Sequence, residues 1–201
     1  TTFDICISSP DPDALCGTAK PFCSDTTYNF PTNVNSGTAA AGINYGCLCQ
    51  QPNPIWYYMK IGTAGPLELT IQSSCGDVDY AAWGPFSTQT CDSLTNSGTF
   101  DYGSSTSTSC SVDNFESPSG NMIDCAYSTA SIEYLTIANS QVNKYYLIMI
   151  NNYSNCAGMY TFHQTSGTGK TDCIIVALPV GLYSFTSNCV SENEVQLEWT
   201  T

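Results

Sequence analysis

Two short stretches decide the fold: Ile55-Trp56-Tyr57-Tyr58-Met59-Lys60-Ile61 and Leu67-Glu68-Leu69-Thr70-Ile71-Gln72. The first is aromatic and β-branched, with Pro54 before it and Gly62 after it, which is the signature of a strand. The second alternates cleanly: Leu67, Leu69 and Ile71 fall on one face and polar residues on the other. Gly62 to Pro66 reads as the turn of a hairpin between them. Working outward, Asp77 to Trp83 is a third strand, stopped by Gly84-Pro85, and Ile132 to Ile137 a fourth. Tyr145 to Ile150 is apolar at every position, as a central strand covered on both faces would be. Gly158 to His163 returns beside it. Residues 1–54 are rich in turns and show no helical period, so their path is expected to be set by disulfides.

Composition narrows the class. The chain has 201 residues, 42% hydrophobic and 12% aromatic, enough for a core. Only 10% are charged, and the net charge is −13. The four basic residues are all lysines, so no row of phosphates could be neutralised and nucleic acid is excluded as a partner. No apolar run reaches membrane-spanning length, so the chain is not expected to be membrane-embedded. The twelve cysteines are Cys6, Cys16, Cys23, Cys47, Cys49, Cys75, Cys91, Cys110, Cys125, Cys156, Cys173 and Cys189. They include no C-x-x-C pair, and the one histidine is His163, so zinc is disfavoured. Disulfides made in an oxidising compartment are the expectation, with pairing left open. With no signal peptide in view, the sequence reads as a mature exported chain.

Residues 96–121 form a long Ser/Gly-rich stretch with Cys110 as a tether, and Gly167-Thr168-Gly169 marks a boundary. Many short strands without helices predict an all-β, disulfide-rich, jelly-roll-like antiparallel sandwich over residues 1–172. Residues 173–201 follow as a C-terminal strand segment. Its apolar positions Leu178, Val180, Leu182, Phe185, Val195, Leu197 and Trp199 need a sheet edge, in this subunit or the next.

The motifs Pro52-Asn53-Pro54-Ile55-Trp56-Tyr57-Tyr58, Asp77 to Phe86, Ile123 to Ser128 and Tyr145 to Ser154 resemble a secreted surface or adhesin domain of Bacteroidota. The likeness extends over roughly residues 16–173 and implies a sandwich related to pre-peptidase C-terminal and CUB-like domains of the gliding-motility type. Leu178 to Phe185 is similar to the segment that opens the C-terminal region of proteins exported by the type IX route. The longer sorting region that follows in those proteins is not within these residues. Cys49, Cys75, Cys110 and Cys156 look additional to the family pattern.

Chemistry is scarce. His163 ends a strand with no nucleophile elbow near it, and no arginine stands by to position substrate for a carboxylate pair, so no enzyme is expected. Asp77 and Asp79 fall on one face of a strand and, with Asp124 or a loop carbonyl, would suit calcium, a use CUB-like relatives make of such residues. A solvated acidic face with no ion is the other reading. Asp92-Ser93-Leu94 fits the pattern that Bacteroidota O-glycosylate, which makes Ser93 a glycosylation candidate. Asp25-Thr26-Thr27 fits less well, and Asn152-Tyr153-Ser154 is a sequon by pattern. The aromatics Trp56, Tyr57, Tyr58, Tyr80, Trp83, Tyr145 and Tyr146 would line a sugar platform or fill the core, and strand alternation favours the core.

The expectation is a structural subunit of an extracellular cell-surface filament, a homopolymer joined by intersubunit strand pairing. The alternative is an adhesion or carbohydrate-binding module of a larger secreted protein, binding glycans or a neighbouring cell surface, with calcium as an optional cofactor.

Overall fold

The computed structural model describes residues 14–40, 43, 45–89, 91, 121–173, 184–191 and 194–200, the last two stretches as backbone. After a 3-10 turn over Cys16–Thr18, the strands are β1 (Lys20–Pro21), β2 (Tyr28–Pro31), β3 (Pro54–Thr63), β4 (Gly65–Ser73), β5 (Val78–Phe86) and β6 (Met122–Ala126). They continue with β7 (Ile132–Ser140), β8 (Tyr145–Asn152), β9 (Met159–Gly167), β10 (Lys170–Thr171), β11 (Ser184–Ser191) and β12 (Glu194–Thr200). One sheet has the order β1-β3-β8-β5-β6 with β10 also beside β3, and the second has the order β2-β9-β4-β7. The two pack face to face as a jelly-roll-like β-sandwich, and β11 and β12 form a two-stranded sheet of their own.

Alternation explains the layering. Tyr57, Met59 and Ile61 of β3, Tyr80 and Ala82 of β5, and Tyr146, Ile148 and Ile150 of β8 face inward. They meet Leu67, Leu69 and Ile71 of β4 and Tyr160 and Phe162 of β9 across the core. The other face of the first sheet is apolar too: Trp56, Tyr58, Ala81, Trp83, Leu147 and Met149 form a second cluster. Tyr45 and Leu48 of the N-terminal arm cover it, so this part of the molecule has three layers. Trp56 and Trp83 stack there with ring centroids 5.5 Å apart. The double-sided apolarity of Tyr145 to Ile150 therefore has its expected cause, since β8 lies between β3 and β5 with cover on both sides.

Disulfides stitch the arm down. Cys16 joins Cys91, Cys47 joins Cys125, and Cys75 joins Cys156 across 81 residues of sequence. Cys49 is disulfide-bonded as well. Cys23 and Cys173, expected in bridges, carry free thiols in this structure. Cys6 and Cys110 lie outside the described residues, as does the side chain of Cys189.

Three local readings need correction. Gly62 to Pro66 does not close a hairpin: β3 pairs with β8, whereas β4 pairs with β7 and β9. The apolar faces of β3 and β4 are buried against each other across the core, so the turn carries the chain from one sheet to the other. Secondly, β5 does not stop at Gly84-Pro85 but runs on to Phe86. Gly84, at φ +152°, leaves the space that the Tyr146 ring occupies, because an added Cβ would sit 2.5 Å from that ring. Thirdly, the turn-rich arm contributes β1 and β2, which are too short to show a period.

Candidate functional site

The acidic residues singled out in the sequence separate in space. Asp77 leads into β5 and Asp79 lies on it, with Asp79 only 1% exposed. The Ser128 N–H donates to Asp79 Oδ1 at 3.1 Å, and the Ser128 hydroxyl donates to Glu133 at 2.5 Å. Asp77 Oδ1 and Asp79 Oδ2 are buried with no hydrogen-bond partner. Burial first, and then the charge of Asp77, pushes the Asp79 carboxyl up to about 8. Burial also raises Asp77 and Glu133 above the usual carboxylate range.

Asp124 serves a different structure. Its Oδ2 accepts the Tyr80 hydroxyl at 2.9 Å and the Thr136 N–H at 2.5 Å, tying β6 to the core and to β7. Tyr80 also donates to the Tyr134 carbonyl at 2.6 Å. Asp124 is therefore an intersheet tie rather than a third ligand beside Asp77 and Asp79. Among the described residues, no three His, Cys, Asp or Glu side chains converge in a way that could hold a metal. Glu133, which sequence reading passed over, completes the acidic group instead; its partner Ser128 sits in the β6–β7 turn, which has no period to advertise it.

Beside this group lies a cleft of about 110 Å³ lined by Asp77, Tyr127, Ser128, Thr129 and Tyr153. The Tyr127 and Tyr153 rings meet edge to face at 5.7 Å, and Tyr153 is 38% exposed. Neither tyrosine belongs to the aromatic set picked out in the sequence. Of that set, Trp56, Tyr57, Tyr58, Tyr80, Trp83 and Tyr146 are all buried. The cleft pair is found only through the fold, which brings the end of β6 against the turn after β8.

A larger open groove, of about 570 Å³, runs along the side of the sandwich where β6 and β7 are the outermost strands. Ile123, Asp124, Tyr134, Thr136, Ile137 and Tyr146 help to line it. Among the described strands β7 pairs with β4 alone, and Tyr134 is 57% exposed.

His163 lies within β9 opposite Thr70, and its Nδ1 is buried with no hydrogen-bond partner, so nothing orients the ring through that nitrogen. Asn152, of the sequon, is fully buried and donates to the carbonyls of Asn33 and Cys156 at 2.8 and 2.9 Å. That side chain is closed to modification in the folded chain. Ser93 lies outside the described residues, as do Leu178, Val180 and Leu182. Phe185, Val195, Leu197 and Trp199 lie on β11 and β12, where Phe185 pairs with Trp199, Ser187 with Leu197 and Cys189 with Val195. No helix among the described residues is long and apolar enough to cross a membrane. Neither the models of known protein families nor the curated proteins include a match to this chain.

Proposed function

We propose that the protein is a non-enzymatic structural subunit of an extracellular cell-surface filament, with the C-terminal hairpin as its joining element. The observation that carries this reading is the pairing of β11 and β12: they pair with each other and with no other described strand. A two-stranded hairpin is at best marginally stable in water. Phe185, Val195, Leu197 and Trp199 fall on one alternating set of its positions, an apolar series that calls for cover. A neighbouring copy offers the β6–β7 side, with an edge strand and an adjoining groove. A tail on one copy and a groove on the next make a heterologous contact, which propagates instead of closing. Disulfides spanning 75, 78 and 81 residues suit such a subunit, because load passes through covalent bonds.

Electron microscopy of the protein released natively from the cell surface tests this. Filaments with a repeat of one domain length, lost on truncation after Cys173 and on Tyr134→Asp, are the expected result. Dispersed particles of one chain's mass would refute it. The Tyr127–Tyr153 cleft with Asp77 at its wall favours a second reading, an adhesion module, since an exposed aromatic beside a carboxylate suits a sugar ring. Glycan binding by the monomer, abolished by Tyr153→Ala, would select that reading.

A further inference from the structure

Two strands approach each other head-on along one edge of β3. From one end comes β1, parallel to β3, with Lys20 opposite Tyr57 and Pro21 opposite Tyr58. From the other comes β10, antiparallel, with Thr171 opposite Ile61. The last bonds they make are to alternate carbonyls of that edge: Phe22 N–H to Tyr58 O at 2.8 Å, and Asp172 N–H to Lys60 O at 2.6 Å. The next residue of each is a cysteine, Cys23 and Cys173. The junction is tightly drawn. The Ser24 N–H donates to Thr171 Oγ1 at 2.8 Å and the Thr171 N–H donates to Ser24 Oγ at 3.1 Å, a reciprocal buried pair 147 residues apart in sequence. Lys60 Nζ donates to Asp172 Oδ2 at 2.8 Å, and Thr171 Oγ1 lies 3.1 Å from Cys173 Sγ. The Cys23 N–H is held by the Tyr28 hydroxyl at 3.0 Å. Cys23 and Cys173 thus follow backbone bonds made only two residues of β3 apart, and the Cys173 side chain acts on the Cys23 thiol.

We infer that Cys23 and Cys173 are the site of a further disulfide, one that closes the seam where the two ends of the sandwich meet on β3. Cys173 is the exposed member and the point of entry. Its thiolate attacks one sulfur of an external disulfide, a low-molecular-weight disulfide or that of a thiol oxidoreductase, and one external thiolate leaves. The Cys23 thiolate then attacks the Cys173 sulfur of the mixed disulfide and displaces the second external thiolate. Two protein thiols lose two protons and two electrons, and the external disulfide is reduced to two thiols. Burial and the Cys173 hydrogen bond hold the Cys23 thiol up at about 11, which leaves the exposed Cys173 as the first thiol to react. The bond places a covalent staple where the chain leaves the sandwich toward β11, so tension on that segment is borne by Cys23 and β3 instead of by the two residues of β10.

The test uses the full chain, oxidised with glutathione disulfide, alkylated with N-ethylmaleimide in denaturant near neutral pH, then acidified, digested with pepsin and mapped by mass spectrometry without reduction. Linked peptides for Cys16–Cys91, Cys47–Cys125 and Cys75–Cys156 serve as the internal control for correct folding. The expected result is a Cys23–Cys173 linked peptide, preceded in time courses by a glutathione adduct on Cys173. In Cys23→Ser, Cys173 should accumulate as the glutathione adduct, linked to no other cysteine, while the three control links persist. Quantitative alkylation of both cysteines in the oxidised wild type, or either of them linked to Cys6, Cys110 or Cys189, overturns the inference.

Discussion

Replacing Asp79 by asparagine should make the protein more stable at alkaline pH and leave it unchanged in acid. Asp79 is enclosed, and one of its oxygens has no hydrogen-bond partner. Burial first and Asp77 second raise its carboxyl to about 8, with the Ser128 N–H pulling the other way. An aspartate in the unfolded chain titrates near about 3.9. Below that pH both states hold the proton, and Asp79 neither helps nor harms. From there to about pH 8 the unfolded chain gives up its proton while the folded one keeps it, so stability falls as pH rises; above that window it levels. At about 1.4 kcal/mol per unit, the whole window would amount to roughly 6 kcal/mol. The effective dielectric around a buried group in a relaxing protein exceeds that of a rigid dry interior and reduces this, so about 2–3 kcal/mol is expected.

Asparagine keeps an acceptor for Ser128 and has no charge to bury. Urea unfolding of Asp79→Asn and wild type at pH 4, 6 and 8 should therefore give curves that coincide at the lowest pH and diverge steadily. At pH 8 the gain should correspond to on the order of 5–10 °C in Tm. A variant no better at pH 8 than at pH 4 would refute the reasoning. So would a rise in wild-type stability with millimolar calcium that the variant lacks, because the carboxylate would then be held ionised by a cation.

Other outcomes follow from the same packing. Trp83→Ala removes the Trp56 stacking partner from a fully buried site and should cost about 3–5 kcal/mol in denaturant melts. Tyr134→Ala on the exposed edge should stay within about 0.5 kcal/mol. The double variant Cys75→Ser/Cys156→Ser opens a loop of 81 residues and should lose about 4.5 kcal/mol by the chain-entropy relation, read by calorimetry. At Gly167, φ is +97° and an added Cβ would collide with the Pro66 carbonyl, so Gly167→Ala should destabilise by about 1–3 kcal/mol. Intact mass measurement should find Asn152 without glycan, because both its amide hydrogen bonds are internal.

The long strands were readable because their side-chain period is written into the sequence. Leu67, Leu69 and Ile71 could only be one face of a strand, and the unbroken apolar run of Tyr145 to Ile150 could only lie between two covers. Period does not say which sheet a strand joins, however, so β3 and β4 looked like a hairpin although the core separates them. Gly84-Pro85 carried the ordinary signal of a strand end, and the need to admit the Tyr146 ring is a tertiary fact. At the acidic group, strand alternation placed Asp77 and Asp79 together, as found. The removal of Asp124 by Tyr80 and Thr136, and the arrival of Glu133 through Ser128, depend on how β6 and β7 lie over the core. No spacing rule contains that.

The N-terminal arm over Trp56, Trp83 and Met149 has a consequence for where the chain can exist as a dispersed molecule. Those rings are kept from water by a segment with hardly any regular structure, held down by the Cys16–Cys91 and Cys47–Cys125 bonds. In a reducing compartment the arm would be held only by non-covalent contacts, the short β1 and β2 pairings among them, and lifting it would bare the aromatic face of the sheet. The net charge of −13 opposes association in dilute solution, but an uncovered apolar face would still favour it once copies are crowded together. Thiol oxidation is thus a condition of colloidal solubility for this protein as well as a contribution to its stability, and it must precede any crowding of one copy against the next.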